Sequence, residues 1–198
     1  VNEIVAGKYD HVGESIIYGD TDSVYFSAHK TLSKEIDSGQ IAWTKESVIA
    51  LYDKIADEIN ISFPNFMQKA FHCPKTRGEL IKAGRELVAS RGLFITKKRY
   101  AVLYYDKEGT RVDTTGKEGK VKAMGLDLKR SDTPVFVQDF LSEILYMVLT
   151  DKNEKEVLDR ITEFRKEFKA RPGWEKGSPK RANNMTKYTA AEEKAGKT

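Results

Sequence analysis

A single cysteine, Cys73, among 198 residues excludes an internal disulfide and argues against a cysteine-based zinc site. Histidine is nearly as scarce. His11, His29 and His72 are scattered without metal-ligand spacing, so no histidine chemistry is expected of them. No apolar run approaches the ~20 residues of a membrane-spanning helix, and the N-terminus lacks a signal-peptide pattern, which predicts an intracellular protein with no membrane partner. A strong excess of one charge is missing too. The formal balance is only +4, so any argument for a polyanionic partner must come from local clusters.

What is present is a chain long enough for one full domain or two small ones, with 32% charged against 39% hydrophobic residues and no internal repeat. Residues 1–14 carry no hydrophobic period of their own, and a polar stretch over 29–40 is expected to connect one element to the next. From Thr44, a plausible N-cap, Val48, Leu51, Tyr52, Ile55 and Ile59 recur at three- and four-residue steps and predict an amphipathic helix. Phe63, Phe66, Met67, Ala70 and Phe71 continue the stripe past Pro64 and are expected in the core, with a kink or a break at the proline.

Residues 79–81, 86–89, 93–95, 100–106 and 121–128 read as strands, with Lys107-Glu108-Gly109 as a turn and a second turn around Gly116 and Gly119. Ser131-Asp132-Thr133-Pro134 marks a helix start, and Phe136, Val137, Phe140, Leu141, Ile144, Leu145 and Val148 form its apolar face. A second helix from about Asn153, with Val157, Leu158, Ile161, Phe164 and Phe168, would close an antiparallel pair. Beyond Arg171-Pro172-Gly173 the periodicity is lost. Helices beside a sheet-rich region make the fold class α+β.

Two stretches could carry chemistry. In Ile16-Ile17-Tyr18-Gly19-Asp20-Thr21-Asp22-Ser23-Val24-Tyr25, β-branched and aromatic runs flank a Gly-Asp turn, the pattern of a hairpin over roughly 15–28. Alternation would send Asp20 and Asp22 the same way from its tip, and oxygen-only ligands suit Mg²⁺ or Mn²⁺. Taken alone, an Asp-x-Asp also fits an ordinary exposed turn or the metal and sugar-nucleotide site of a glycosyltransferase. An EF-hand loop is excluded, because Val24 and Tyr25 stand where a ligand and the glycine belong.

The second stretch, Thr96-Lys97-Lys98-Arg99-Tyr100, sets three cations before an apolar strand. Lysines also blunt exposed sheet edges, so a solvated edge is one reading. Phosphate and groove contact is the other. Strand alternation would place Lys98 and Tyr100 on one face and Lys97 and Arg99 on the opposite one.

Together the motifs resemble B-family DNA polymerases, most nearly those of T-even-type tailed bacteriophages. The aspartate decapeptide resembles the family's third conserved palm motif, and Lys97-Lys98-Arg99-Tyr100 its segment along the primer-template minor groove. Residues 122–134, from Lys122-Ala123-Met124-Gly125 to Pro134, resemble the palm-to-thumb passage, with Asp127 where a Glu is common. Asn183-Asn184-Met185-Thr186-Lys187-Tyr188 is similar to the thumb of the phage enzymes.

The resemblance implies an antiparallel palm sheet with packed helices over 1–128, followed by a helical thumb segment over 129–198. Asp22 would be the main carboxylate ligand of the catalytic metals, Mg²⁺ with Mn²⁺ as the alternative, and Asp20 an auxiliary acid. Tyr18 and Thr21 would support the hairpin. Lys98 and Tyr100 would contact primer-template DNA, with Lys97 and Arg99 as further candidates. Glu86 matches a strand acid near the family's active site, although a surface strand charge explains it equally.

The implied reaction is template-directed transfer of a deoxynucleotide from its triphosphate to a primer 3′-hydroxyl. The family's earlier palm aspartate, its Lys-bearing fingers helix and its exonuclease carboxylates have no counterpart in this sequence. A partner polypeptide supplying them, or a truncated sequence, is therefore expected, and the chain alone is expected to be inactive. A sliding clamp joins the implied partners, and the cytoplasm of an infected bacterial host is the implied location. A non-catalytic DNA-binding or assembly subunit ranks second, because it explains the basic stretch and not the acids. A glycosyltransferase leaves the basic stretch unused.

Overall fold

The computed structural model describes residues 15–178 except Thr31, Thr115, Asp127 and Lys129. Residues 1–14, Asp127 in the 122–134 match and the Asn183–Tyr188 motif lie outside the described residues. The chain divides into two compact units, Val1–Met124 and Gly125–Thr198.

In the first unit β1 (Ile16–Asp20) and β2 (Ser23–Phe26) form the expected hairpin around a two-residue turn, Thr21-Asp22. Helices α1 (Ser33–Asp37), α2 (Lys45–Phe71) and α3 (Lys75–Gly78) follow. A four-stranded antiparallel sheet comes next, built from β3 (Leu87–Thr96), β4 (Arg99–Lys107), β5 (Thr110–Arg111) and β6 (Lys120–Met124). β4 is its central strand. It pairs with β3 along one edge, and on the other with β6 near its start and β5 near its end. Tyr100, Ala101, Val102, Leu103 and Tyr105 are all buried, as a strand covered on both faces requires.

α2 joins the layers. Thr44 caps it through a capping box in which its hydroxyl accepts from the Ser47 N–H and the Ser47 side chain answers at the Thr44 N–H. Ile55 packs with Ala28 and Leu32 behind the first hairpin, and Val48 packs with Val88 and Tyr105 on the sheet. Trp43 and Tyr52 touch both groups. The Tyr52 hydroxyl also accepts from the Ala28 N–H, at 3.2 Å.

Several expectations are corrected. α2 continues through Pro64 as one helix of 27 residues, so the proline does not divide it in two. Its last turns do not reach a core, and Phe66 and Phe71 are mainly exposed, packing edge to face on one another. The polar connection contains α1, pinned by Leu32, which is 1% exposed. Residues 79–81 form no strand. That segment is instead a turn continuing from α3, in which the Leu80 and Ile81 N–H groups donate to the Arg77 and Gly78 carbonyls, and just beyond it the Asn60 amide exchanges two hydrogen bonds with the Ala83 backbone. Residues 87–89 and 93–95 belong to the single strand β3, which Glu86 precedes and whose register irregularities absorb the Ser90-Arg91-Gly92 interruption.

Two ionic clusters close this unit. Buried Asp106 takes the Arg85 guanidinium on one carboxylate oxygen, while the same Arg85 reaches Asp53 of α2 at 2.5 Å. Arg111 grips Asp113 with two parallel bonds of 2.8 and 2.7 Å, and Lys45 adds a third of 2.6 Å. These bonds, first from Arg111 and then from Lys45, hold the Asp113 carboxyl well below the usual carboxylate range. Burial pushes the neighbouring Tyr105 phenol up to about 12.

In the second unit α4 (Val135–Leu149) and α5 (Glu154–Ala170) pair as predicted. Phe140 stacks on Phe164 with centroids 3.6 Å apart, Phe136 meets Phe168 at 5.8 Å, and Arg160 bonds Glu143. Those pairs run in opposite directions along the two helices, so the hairpin is antiparallel. Asn153 and Glu156 form the capping box of α5. α4 starts at Pro134 without a side-chain cap; the Gln138 amide reaches back instead to the Arg130 and Thr133 carbonyls. A short α6 (Gly173–Lys176) follows where no element was expected.

Two measurements test this account. Asp106→Ala strands the Arg85 guanidinium, 9% exposed, without its buried partner and is expected to cost about 3 kcal/mol or more by chemical denaturation. Asp53→Ala, at the half-exposed end of the same arginine, should cost about 1 kcal/mol or less. Because the folded pKa of Asp113 is depressed, its contribution is full above the unfolded value of about 4 and fades as pH falls through the folded value. Asp113→Asn should therefore lower the melting temperature at pH 7, and its gap to the unaltered chain should narrow only as the pH drops below about 4.

Candidate functional site

The acidic tip is built by the first hairpin. Its turn begins at Thr21, whose φ of +44° is a left-handed conformation that a β-branched residue adopts at a cost of about 1–2 kcal/mol. Asp20 ends β1 and is oriented by its neighbours. The Thr21 hydroxyl donates to its Oδ1 at 3.2 Å, and the Tyr18 hydroxyl lies 3.5 Å from its Oδ2. Asp22 is exposed, and among the described residues nothing bonds its carboxylate. Among those residues no third acid, histidine or cysteine joins the pair as a metal-sized group. The donor set is all oxygen, one carboxylate held and one unengaged. It fits part of the coordination of a hard divalent cation, with the other ligands still to be supplied.

The basic stretch takes a form that strand alternation did not predict. Lys97 and Lys98 are the turn between β3 and β4, with Lys98 at φ +61°, so the expected split into two strand faces does not apply. Lys97, Lys98 and Arg99 are all exposed, and among the described residues none of them forms an ion pair. Tyr100 differs. It is 4% exposed and turns into the protein.

An aromatic quartet brings the two hairpins together. Tyr18 and Tyr25 face one another across β1 and β2, and Phe94 faces Tyr100 across β3 and β4. The pairs then pack on each other, with Tyr18 5.2 Å from Tyr100 and 5.8 Å from Phe94, and Tyr25 5.2 Å from Tyr100 and 5.4 Å from Phe94. Gly92 makes room for this. A Cβ there would come within 2.7 Å of the Phe94 ring. The shortest hydrogen bond between the two hairpins runs from the Lys98 N–H to the Tyr18 hydroxyl at 3.0 Å.

The structure thus brings together Tyr18, Asp20, Thr21, Lys98 and Tyr100. Glu86 precedes β3 rather than lying within it and is engaged by Lys122 at 2.6 Å. It lies close enough to Tyr25 for its charge to disfavour the phenolate. Burial, followed by the hydrogen bond to Tyr100, is the main reason that phenol titrates far above its ordinary range. Tyr25, Phe94 and Gly92 escaped the sequence reading. The cross-strand pairing of Tyr18 with Tyr25 follows from a two-residue turn at Thr21-Asp22 and could have been counted. The pairing of Phe94 with Tyr100 depends on an irregularity after Phe94 that no pattern announces.

Tyr100 is consequently expected to act first through packing. Tyr100→Phe should keep the melting temperature within about 2 °C, since it gives up only a 3.5 Å contact between hydroxyls. Tyr100→Ala should destabilise by about 3–5 kcal/mol in denaturant titration.

Comparison with known proteins accords with these features. The model of "DNA polymerase family B" matches residues 3–178. The DNA-directed DNA polymerase of Escherichia phage RB69 is 32% identical over 161 residues, which is 76% of this chain and 17% of the relative. That of Enterobacteria phage T4 is 27% identical over 194 residues, covering 93% of this chain and 20% of the relative. DNA polymerase 037L of Invertebrate iridescent virus 6 is 25% identical over 156 residues, 77% of this chain and 11% of the relative. The chain therefore spans a fifth or less of the length of the curated relatives it matches. With the family model covering most of its length, and an acid-tipped hairpin mounted beside a basic turn, the chain belongs to DNA polymerase family B.

Proposed function

We propose that this chain supplies the C-terminal part of the palm and the start of the thumb of a phage-type DNA-directed DNA polymerase, with the palm over 1–128 and the thumb over 129–198. The observation that carries the reading is that one unit sets an acidic hairpin tip, with Asp22 unengaged among the described residues, against a basic turn whose Lys97, Lys98 and Arg99 form no ion pair among them, the two hairpins joined by the bond from the Lys98 N–H to the Tyr18 hydroxyl. Glu86 with Lys122 and Asp113 with Arg111 are paired elsewhere in the unit, whereas the charges of these two turns form no ion pair among the described residues.

In this reading Asp22 would hold a divalent cation, Mg²⁺ or Mn²⁺, with Asp20 kept in place beside it by Thr21 and Tyr18. When bound, the cation supplies Lewis-acid stabilisation of charge at the transferring phosphate. The chain's own residues bind and align. Lys98, with Lys97 and Arg99, neutralises phosphates of the primer-template and so fixes the duplex against the acidic tip. Tyr100 shapes the floor beneath that turn, and its hydroxyl is shared with Tyr25 rather than offered freely to the minor groove. Deoxynucleoside triphosphate is the second substrate; the residues that bind it, the remaining metal ligands and the exonuclease come from the rest of a polymerase, on the same or a partner polypeptide, acting in an infected host's cytoplasm. A sliding clamp would engage that complete enzyme.

The test is fluorescence anisotropy of a labelled primer-template titrated with the chain at about 50 and 200 mM salt. Affinity is expected to fall steeply with salt, and a Lys97→Ala, Lys98→Ala variant should lose most of the binding at the lower salt. The unaltered chain should not extend the primer by itself. Robust extension abolished by Asp22→Ala would refute the need for other segments, and salt-indifferent binding would refute the role of the basic turn.

A further inference from the structure

The two hairpins that carry the acidic and basic turns share no strand pairing, for β1 and β2 form a sheet separate from β3–β6. What sets one turn against the other is therefore side-chain contact. Most of that contact is between aromatic rings, tilted or edge-to-face in three of the four cross-hairpin pairs, and such pairs are satisfied over a range of centroid separations of about 4.5–7 Å. A directional bond is needed to fix the offset, and the shortest that crosses between the hairpins is the 3.0 Å bond from the Lys98 N–H to the Tyr18 hydroxyl.

The Lys98 N–H is well placed for this use. In a two-residue turn the ladder closes through Thr96 and Arg99, leaving the second turn residue's N–H without a ladder partner. Lys98 is also held at φ +61°, a conformation costly for a residue with a Cβ, and a tertiary bond to its N–H helps to retain it. The Tyr18 hydroxyl, having accepted that bond, keeps its own proton to direct at Asp20 Oδ2, 3.5 Å away. One phenol therefore lies between the backbone of the basic turn and a carboxylate of the acidic one.

We infer that Tyr18 is a positioning residue: its hydroxyl, through the Lys98 N–H, fixes where the Lys98 ammonium stands relative to the acidic tip and so sets its contact with the duplex. This rests on the reading of the basic turn as a duplex-binding element and adds the residue that aims it. Tyr18 itself need touch neither nucleic acid nor metal. Removing its hydroxyl leaves the ring in the quartet, so packing is retained while the aim is lost.

The experiment is a double-mutant cycle on the full chain, with primer-template anisotropy as the readout. Tyr18→Phe is expected to raise the dissociation constant about three- to tenfold and to reduce the slope of affinity against salt by about one phosphate contact. Lys98→Ala should do the same. The combination should be no worse than Lys98→Ala alone, because the hydroxyl acts only through that lysine. Independent losses that multiply, or a Tyr18→Phe variant with unchanged affinity and slope, would overturn the inference while leaving the duplex-binding reading standing. A chain that shows no salt-sensitive binding at all would overturn both. Amide hydrogen exchange gives a second arm: the Lys98 N–H should be protected in the unaltered chain and lose that protection in Tyr18→Phe, with the protection of β4 retained. An unprotected Lys98 N–H in the unaltered chain would overturn the inference.

Discussion

Everything in the first unit depends on burying β4 from both sides. Its run from Tyr100 to Asp106 has no solvated face, so each neighbour is placed by the need to cover it. β3 and β6 satisfy its edges, and α2 covers the Tyr105 end through Val48 and Tyr52. At the Tyr100 end the cover is the first hairpin, which brings Tyr18 and Tyr25. The site is thus a by-product of core formation at one end of a strand. The same strand that buries an ion pair at Asp106 supports the exposed basic turn at its start.

The two tip aspartates, close in sequence, are treated differently by the fold. Asp20 is held by hydroxyls on either side, and a held carboxylate keeps its orientation when a charge arrives. Asp22 occupies the turn itself and has both oxygens unengaged among the described residues. Thr21 between them bears a strained φ, and such strain concentrates where the chain must present side chains in a set direction. The two acids thus differ in how firmly the fold holds them, Asp20 oriented by its neighbours and Asp22 unengaged among the described residues.

Much of this was legible in the sequence, for reasons that can be stated. Both hairpins follow from alternation interrupted by short turns, and α2, α4 and α5 from three- and four-residue spacing with Thr44 and Asn153 as caps. The acids and the basic run were visible as motifs. What periodicity could not supply was whether anything covers an apolar stripe, and so Phe66 and Phe71 were assigned to a core that does not form around them. α1 escaped because five residues are too few to show a helical period. The inward turn of Tyr100 was hidden by a register irregularity, and the Lys98–Tyr18 bond joins residues 80 positions apart, where local pattern is silent.

The separateness of the first hairpin has a mechanical consequence. Strands in a common ladder shift only in whole residue steps, because each intermediate offset breaks several backbone bonds at once. Ring pairs have no such ladder and are satisfied over a range of centroid separations of about 4.5–7 Å. A hairpin whose own two tyrosines pack on Phe94 and Tyr100, and which is steered by one phenol, is thus mounted like a bracket, the height of its carboxylates set by side-chain packing and not by the register of the sheet beneath.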